Sequence, residues 1–192
     1  MANLGFYFDA DRCVGCRTCQ IACKDKNDLE ESVIFRLVRT YETGAFPAPG
    51  YYHLSTTCNH CAAPACIASC PVSAITKEEN GVVVIDAETC IGNKLCIDAC
   101  PYRVPQWVNS ASVAAKCDFC SDLLAIGEGP ACVDACPQRA LEWGDIEDLK
   151  ARYPQAVSDL PVLPDSDITG PSSIVTPREP AMLATDFREK HI

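Results

Sequence analysis

Across 192 residues no stretch approaches the roughly 18 consecutive apolar positions of a membrane span, because charges, Pro and Cys interrupt every apolar run. Basic residues are scarce: 16 Lys and Arg stand against 26 Asp and Glu, and the net charge of −10 excludes a nucleic-acid-binding surface of the usual basic kind. There is no Walker or dinucleotide-binding fingerprint, and no Cys-x3-Cys-x2-Cys run of the radical type. The few histidines, His53, His60 and His191, are scattered. His60 lies inside a cysteine group, where it reads as a hydrogen-bond donor rather than a catalytic base. Met1 to Phe6 run almost directly into Cys13, so no secretory leader is expected here.

What the protein has in excess is cysteine, 15 residues of it. An odd number, many only two residues apart, fits a disulfide framework poorly. They fall into groups. The first is Cys13, Cys16, Cys19 and Cys23; the second is Cys58, Cys61, Cys66 and Cys70, followed by Pro71. The third is Cys90, Cys96 and Cys100, followed by Pro101, and the fourth is Cys117, Cys120, Cys132 and Cys136, followed by Pro137. Group three would match group one if Asn93 were cysteine, and the flanks agree: Phe8-Asp9-Ala10-Asp11-Arg12-Cys13-Val14-Gly15 mirrors Ile85-Asp86-Ala87-Glu88-Thr89-Cys90-Ile91-Gly92. This is an internal repeat. Groups two and four correspond more loosely, through Cys58-Asn59-His60-Cys61, Cys117-Asp118-Phe119-Cys120 and the closing Cys-Pro pairs.

The spacing has a chemical reason. Three thiolates at two-residue intervals line a tight loop that can hold three corners of a cubane iron-sulfur cluster, with backbone N–H groups aimed at sulfur. The cysteine three residues on is expected at the start of a helical turn facing away, where it serves another cluster, and the following Pro stops the helix. Groups must therefore work in pairs. Zinc also uses Cys-x2-Cys pairs but gives no role to the closing Cys-Pro signature. With every cysteine a ligand, none is left as a nucleophile, and chemistry on a substrate is not expected here. Arg12, Arg17, Lys24, Lys94, Arg103, Lys116 and Arg139 lie in or beside the groups, either to offset cluster charge or because so much of the sequence is motif.

Strand signals at Phe6–Phe8, Tyr51–Thr57 and Ala140–Trp143, and a hairpin signal at Asn80-Gly81 between 74–77 and 82–85, predict an α+β fold. Segment 24–50 reads as an insertion with an apolar stretch, Val33 to Val38, and a Gly/Pro-rich loop. Asp145 to Tyr153 reads as a short helix ended by Pro154. Beyond it the proline-rich segment shows no helical or strand period, and its Val162, Leu163, Ile168, Ile174 and Val175 predict an extended arm lying along a partner rather than a solvated tail. Small units with so little core must draw much of their folding free energy from cluster ligation.

With four such groups, the second containing Cys-Asn-His-Cys-x4-Cys-x3-Cys-Pro and the fourth Lys-Cys-Asp-x-Cys, the sequence resembles the iron-sulfur subunits of the dimethyl sulfoxide reductase family of molybdopterin oxidoreductases over about residues 4–180. The resemblance implies pairing of group one with four and of two with three. It further implies two ferredoxin-like bis-cluster domains, 1–50 plus 104–153 and 51–103, with 154–192 as the C-terminal arm. One cluster would use Cys13, Cys16, Cys19 and Cys136; a second Cys23, Cys117, Cys120 and Cys132; a third Cys58, Cys61, Cys66 and Cys100. The last would use Cys70, Cys90 and Cys96, with Asn93 at the corner where a thiolate belongs. An amide oxygen is a poor ligand beside thiolates, so a 3Fe-4S cluster is expected there with three 4Fe-4S clusters elsewhere, four 4Fe-4S clusters being the alternative. Nitrate reductase subunits likewise lack a cysteine at that place.

The implied partners are a molybdopterin-containing catalytic subunit and a separate membrane anchor that oxidises quinol, since residues 154–192 cannot supply a membrane helix. The implied location is a peripheral membrane-associated complex, cytoplasmic or exported folded with a twin-arginine partner. The same relay design would serve a polysulfide reductase, a formate dehydrogenase or a molybdenum enzyme acting on phenols. The competing classes are a freestanding polyferredoxin and a regulatory or structural iron-sulfur protein.

Overall fold

The computed structural model describes residues 3–183 and 186–190; His191 lies outside them. In sequence order it runs β1 (Leu4–Asp9), α1 (Thr18–Lys26), β2 (Leu37–Thr43), β3 (Gly50–Thr56), α2 (Ala65–Ala68), β4 (Ile75–Lys77), β5 (Val83–Ile85) and α3 (Leu95–Ala99). There follow β6 (Gln106–Val108), β7 (Val113–Ala115), α4 (Ser121–Ala125), α5 (Ala131–Asp134), β8 (Leu141–Asp145) and α6 (Ile146–Arg152). A 3₁₀ turn (Ser166–Ile168), β9 (Ser173–Thr176), α7 (Glu179–Leu183) and β10 (Phe187–Lys190) complete it. The class is α+β, as the sequence predicts.

The aromatic run Phe6-Tyr7-Phe8 favours extended backbone, and all three rings are buried in β1. β1 sits between two partners: β8 antiparallel, with Phe6 opposite Trp143, and β9 parallel, with Tyr7 opposite Ile174. Phe6 stacks on Phe119 at 4.2 Å between ring centroids, so this sheet packs directly on the fourth cysteine group. The expected hairpin forms between β4 and β5, but its loop is longer than a two-residue turn. Gly81 takes φ +84°, and the Asn80 side-chain oxygen accepts the Val82 N–H at 3.0 Å. α6 begins where expected because the Asp145 carboxylate accepts the N–H groups of Glu147 (2.9 Å) and Asp148 (3.4 Å), satisfying donors that a helix start leaves free.

Two regions differ from the sequence expectation. Segment 24–50 is no loose insertion: Leu37–Thr43 pairs with Gly50–Thr56 over its full length, and this hairpin spans the boundary expected at residues 50 and 51. The C-terminal segment is not simply extended, for β9 joins the first sheet and β10 pairs with β2. Leu160, Ile174, Val175 and Ala181 are buried against the molecule's own core. Gly5 permits the approach: a Cβ there would lie 2.3 Å from the Ser172 carbonyl oxygen, which accepts the Phe6 N–H at 3.0 Å. A four-residue parallel strand carries no local turn signal, and its partner stands at the other end of the sequence. The apolar positions 174 and 175 are thus satisfied within this molecule.

Candidate metal centres

The four cysteine groups share one backbone device. The residue just before the second ligand position has positive φ in each: Gly15 (69°), His60 (43°), Gly92 (69°) and Phe119 (65°). Arg17 and Lys94, both at φ 62°, then lead into α1 and α3. Such alternation turns successive N–H groups into a concavity that receives anions. Glycine adopts the conformation without steric cost. His60 and Phe119 do not, and are held by packing, being 1% and 0% exposed with their rings edge to face at 5.3 Å.

The closing Cys-Pro pairs share a second device. Ser73, Arg103 and Arg139, each three residues after the closing cysteine, have φ between 51° and 54°, and their N–H groups donate back to the carbonyls of Cys70, Cys100 and Cys136. Pro occupies the second position of each turn, where its fixed φ fits and a continuing helix would clash. Group one has no such Pro, and α1 runs on to Lys26.

The last two cysteines of each group sit four residues apart on or at the end of a short helix: Cys19 and Cys23 on α1, Cys66 and Cys70 along α2, Cys96 and Cys100 along α3, Cys132 and Cys136 along α5. Cys66 and Cys70 open on different cavities, the first beside Cys58, Cys61 and Cys100 and the second beside Cys90 and Cys96. α1 packs on α5 and α2 on α3, so each helix pair carries four thiols.

All fifteen cysteines are free. Burial pushes Cys13 up to about 11, with Cys19, Cys136 and Cys16 as like-charged neighbours. Burial pushes Cys23 up to about 12, with Cys132 and Cys120 beside it. Cys66 is pushed to about 12 by burial and by Cys58 and Cys100, and Cys61 is raised by burial with the same two neighbours. Cys96 is raised by burial and by Cys90 and Cys70. These neighbours group Cys13 with Cys16, Cys19 and Cys136; Cys23 with Cys120 and Cys132; Cys58 with Cys61, Cys66 and Cys100; and Cys70 with Cys90 and Cys96, but the first two groupings overlap, since Cys19 has Cys132 as its foremost thiol neighbour. Cys117, raised by burial, has Cys58, Cys132 and Cys23 as its thiol neighbours. Cys58, Cys61, Cys66 and Cys100 line one cavity; Cys70, Cys90, Cys96 and Asn93 line another. Exposed Cys16 is lowered instead, because the Thr18 hydroxyl (3.3 Å) and the Thr18 N–H both donate to its sulfur.

The donor chemistry suits thiophilic, anionic clusters. Thiols at such high pKa stay protonated at neutral pH unless metal displaces the proton. Among the described residues no three His, Cys, Asp or Glu side chains converge on the position of a single ion.

Cations meet these spaces, some of them expected and one not. Arg12 pairs with Asp9 at 3.3 Å and Lys24 binds the carbonyls of Glu30, Glu31 and Val33, whereas Lys94, lying over the Trp107 ring, lines the cavity of Cys70, Cys90 and Cys96. Lys116 does turn inward, 5% exposed, donating to the carbonyls of Val83 and Cys117 beside the third grouping. The residue that sequence reasoning missed is Arg36, 1% exposed and charge-coupled to Cys132, Cys19, Cys117 and Cys23. Its one signal was a lone charge within Val33-Ile34-Phe35-Arg36-Leu37-Val38. His60 is held neutral: burial, then Lys116, Lys77 and Arg36, depress its pKa well below the usual value, and Nδ1 accepts the Val83 N–H at 3.0 Å. Its Nε2 then carries the proton and is buried with no hydrogen-bond partner among the described residues.

Comparison with known proteins agrees with this geometry. Residues 50–146 match the model of a 4Fe-4S dicluster domain, and residues 4–25 that of a 4Fe-4S binding domain. The sequence is 43% identical to the B subunit of anaerobic dimethyl sulfoxide reductase from Haemophilus influenzae, over 97% of this protein and 95% of that one. It is 40% identical to the B subunit of the enzyme of the same name from Escherichia coli, over 90% and 88%. A thiosulfate reductase electron transfer subunit from Salmonella typhi is 38% identical over 64% of this protein and 66% of its own length.

Proposed function

The protein belongs to the family of anaerobic dimethyl sulfoxide reductase B subunits, which are iron-sulfur electron-transfer subunits, and from that membership we propose that its fifteen thiols hold four clusters in a relay. The ends of the relay are a molybdopterin-containing catalytic subunit and a membrane anchor that oxidises quinol. The observation that supports the reading is the placement of the thiols: Cys58, Cys61, Cys66 and Cys100, from groups two and three, line one cavity, Cys70, Cys90, Cys96 and Asn93 line another, and α1 packs on α5 to bring groups one and four together. Cys13, Cys16, Cys19 and Cys136 would hold one 4Fe-4S cluster, Cys23, Cys117, Cys120 and Cys132 a second, and Cys58, Cys61, Cys66 and Cys100 a third. Cys70, Cys90 and Cys96 would hold a 3Fe-4S cluster, with Asn93 at the corner that lacks a thiolate.

When bound, such clusters supply reversible one-electron oxidation and reduction at potentials set by net charge and by hydrogen bonds to sulfur. The protein's own residues supply the rest. The positive-φ loops aim N–H groups at sulfur, burial excludes water from most of the thiols, and Cys117 of one half lies near Cys58 of the other. The two halves, 1–50 with 104–153 and 51–103, act as ferredoxin-like bis-cluster domains. The parts of 154–192 outside β9 dock on the catalytic partner. No helix of the described residues is long and apolar enough to cross a membrane, so the subunit sits peripherally against a separate anchor.

The test is anaerobic native purification with metal and sulfide analysis of whatever co-elutes. The expected result is a larger partner chain carrying molybdenum or tungsten, with roughly fifteen iron atoms on this one. Zinc in place of iron, or a lone subunit turning over with soluble donors, would overturn the proposal.

A further inference from the structure

Arg36 carries a charge that nothing in the ordinary protein core answers. It is 1% exposed, and among the described residues neither Nε nor Nη2, both buried, has a hydrogen-bond partner. Nη1 donates to Ser55 Oγ at 3.2 Å, and the guanidinium carbon lies 4.7 Å over the Phe6 ring. A buried, always-ionised guanidinium with two unsatisfied edges is strongly unfavourable unless negative charge faces it. The groups around it are thiols from both helices of one pair. Ser55 Oγ stands 3.6 Å from Cys19 Sγ, and Cys23, one helical turn along α1, is also among the thiols near the guanidinium. Cys132 and Cys117 complete the surroundings. The residue therefore reaches the Cys13–Cys16–Cys19–Cys136 set through Ser55 and stands beside Cys23, Cys117 and Cys132 of the other set.

We propose that Arg36 is a redox-tuning residue: its guanidinium, fixed between these two thiolate sets, stabilises the reduced state of the cluster at each. This rests on the ligand sets proposed above. The physical reason is that reduction adds one negative charge to an already anionic site, and a desolvated cation at short range favours the more negative state. Lysine could supply the charge as a single compact donor group. Arginine, with its planar fork, can present donors to two sites at once.

The experiment compares Arg36→Gln and Arg36→Lys in the assembled complex, by iron and sulfide analysis and by redox titration followed with electron paramagnetic resonance. In Arg36→Gln, iron stays at the wild-type level and two of the four potentials fall. Each falls by tenfold or more in the reduction equilibrium, or 59 mV for a one-electron couple, while the other two stay in place. Arg36→Lys keeps all four within about threefold of wild type, as retained charge requires. Full iron with all four potentials unmoved in Arg36→Gln overturns the proposal and leaves the ligand sets standing. If the Gln variant loses iron, the Lys variant decides. Full iron with unmoved potentials supports the role of the charge; a tenfold fall with charge retained overturns it. Zinc, or no acid-labile sulfide, in the wild-type protein would instead sink the ligand sets themselves, and the role of Arg36 with them.

Discussion

The side-chain oxygen of Asn93 accepts the backbone N–H of Leu95 at 3.1 Å. One repeat earlier the hydroxyl of Thr18, the residue matching Leu95, donates to the sulfur of Cys16 at 3.3 Å. The loop has therefore kept its conformation, Gly15 and Gly92 both at φ 69°, while the ligand atom has changed from sulfur to an amide oxygen already engaged by the backbone. An oxygen so held is a weak ligand for the corner iron of a cubane.

Asn93→Cys should restore that corner. Because the backbone is already in the geometry of group one, no rearrangement is needed. Iron is expected to rise from roughly fifteen to sixteen per subunit, and the signal of an oxidised 3Fe-4S cluster should disappear. Its potential should also drop below that of the wild-type site, since a 3Fe-4S core takes an electron more readily than a cubane. Metal analysis with low-temperature paramagnetic resonance checks this; an unaltered spectrum in a variant whose new thiol remains alkylatable would count against it.

The glycines of the repeat differ in what surrounds them. A Cβ on Gly15 would meet the His53 ring at 2.5 Å, whereas one on Gly92 would meet the rim of Trp107 at 3.0 Å. Both alanine variants suffer left-handed strain of about 1 kcal/mol, but Gly15→Ala must also displace a ring anchored to Thr40 Oγ1 at 2.9 Å. Gly15→Ala should thus lose the cluster of Cys13, Cys16, Cys19 and Cys136 in part, and Gly92→Ala should keep its own. Iron content after mild anaerobic heating reads the difference; equal losses in the two variants would contradict it.

How much was legible in the sequence follows from how local each signal is. The cysteine groups, the Phe6–Phe8 strand, the Asp145 cap and the Asn80-Gly81 turn are written in a few adjacent residues, and the structure has them where the sequence predicts. The β2–β3 hairpin was hidden because alternation begins at Leu37 inside a run that reads simply as apolar. β9 was hidden because a strand of four residues is defined by a partner at the opposite end of the molecule's sequence. The role open to Arg36 could not be seen at all, since it depends on which helices close around it. Of the seven basic residues near the groups, Lys116 is buried beside the thiols and Lys94 lines the cavity of Cys70, Cys90 and Cys96, so proximity in sequence found two of the cations at these sites.

Acid should weaken the fold through its histidines. Burial, then Arg178 and Arg17, lower the pKa of His53 from 6.5, and burial depresses that of His60 further. A histidine with a depressed folded value takes up fewer protons folded than unfolded. Its contribution is therefore present above the unfolded value and is lost as pH falls from there through the folded value. Urea midpoints of the cluster-loaded protein are expected to drop between pH 7.5 and 5.5, roughly the window that opens at the ordinary histidine value. His53→Gln should show a shallower drop, and parallel pH profiles for the two proteins would remove His53 from the explanation.

Truncation separates folding from docking in the C-terminal segment. Ile174 and Val175 are 2% and 8% exposed, Leu160 is 4% exposed, and Tyr7 shares a hydrogen bond of 2.9 Å with Thr176. Removing three such side chains forfeits roughly 5 kcal/mol of apolar burial, comparable to the total stability of many domains, about 5–15 kcal/mol. It also uncovers the edge of β1, with its row of unpaired backbone groups. A variant ending at Ala156 should consequently be insoluble or fail to retain iron. One ending at Thr176 keeps β9 and loses α7 and β10, so it should fold and hold its full iron. If the outer part of the segment docks on the catalytic partner, that longer variant will co-purify with the partner less well than the full-length protein does, at equal iron content. A soluble, fully loaded variant ending at Ala156 would show instead that β9 is dispensable, and that its burial against β1 contributes little to the fold.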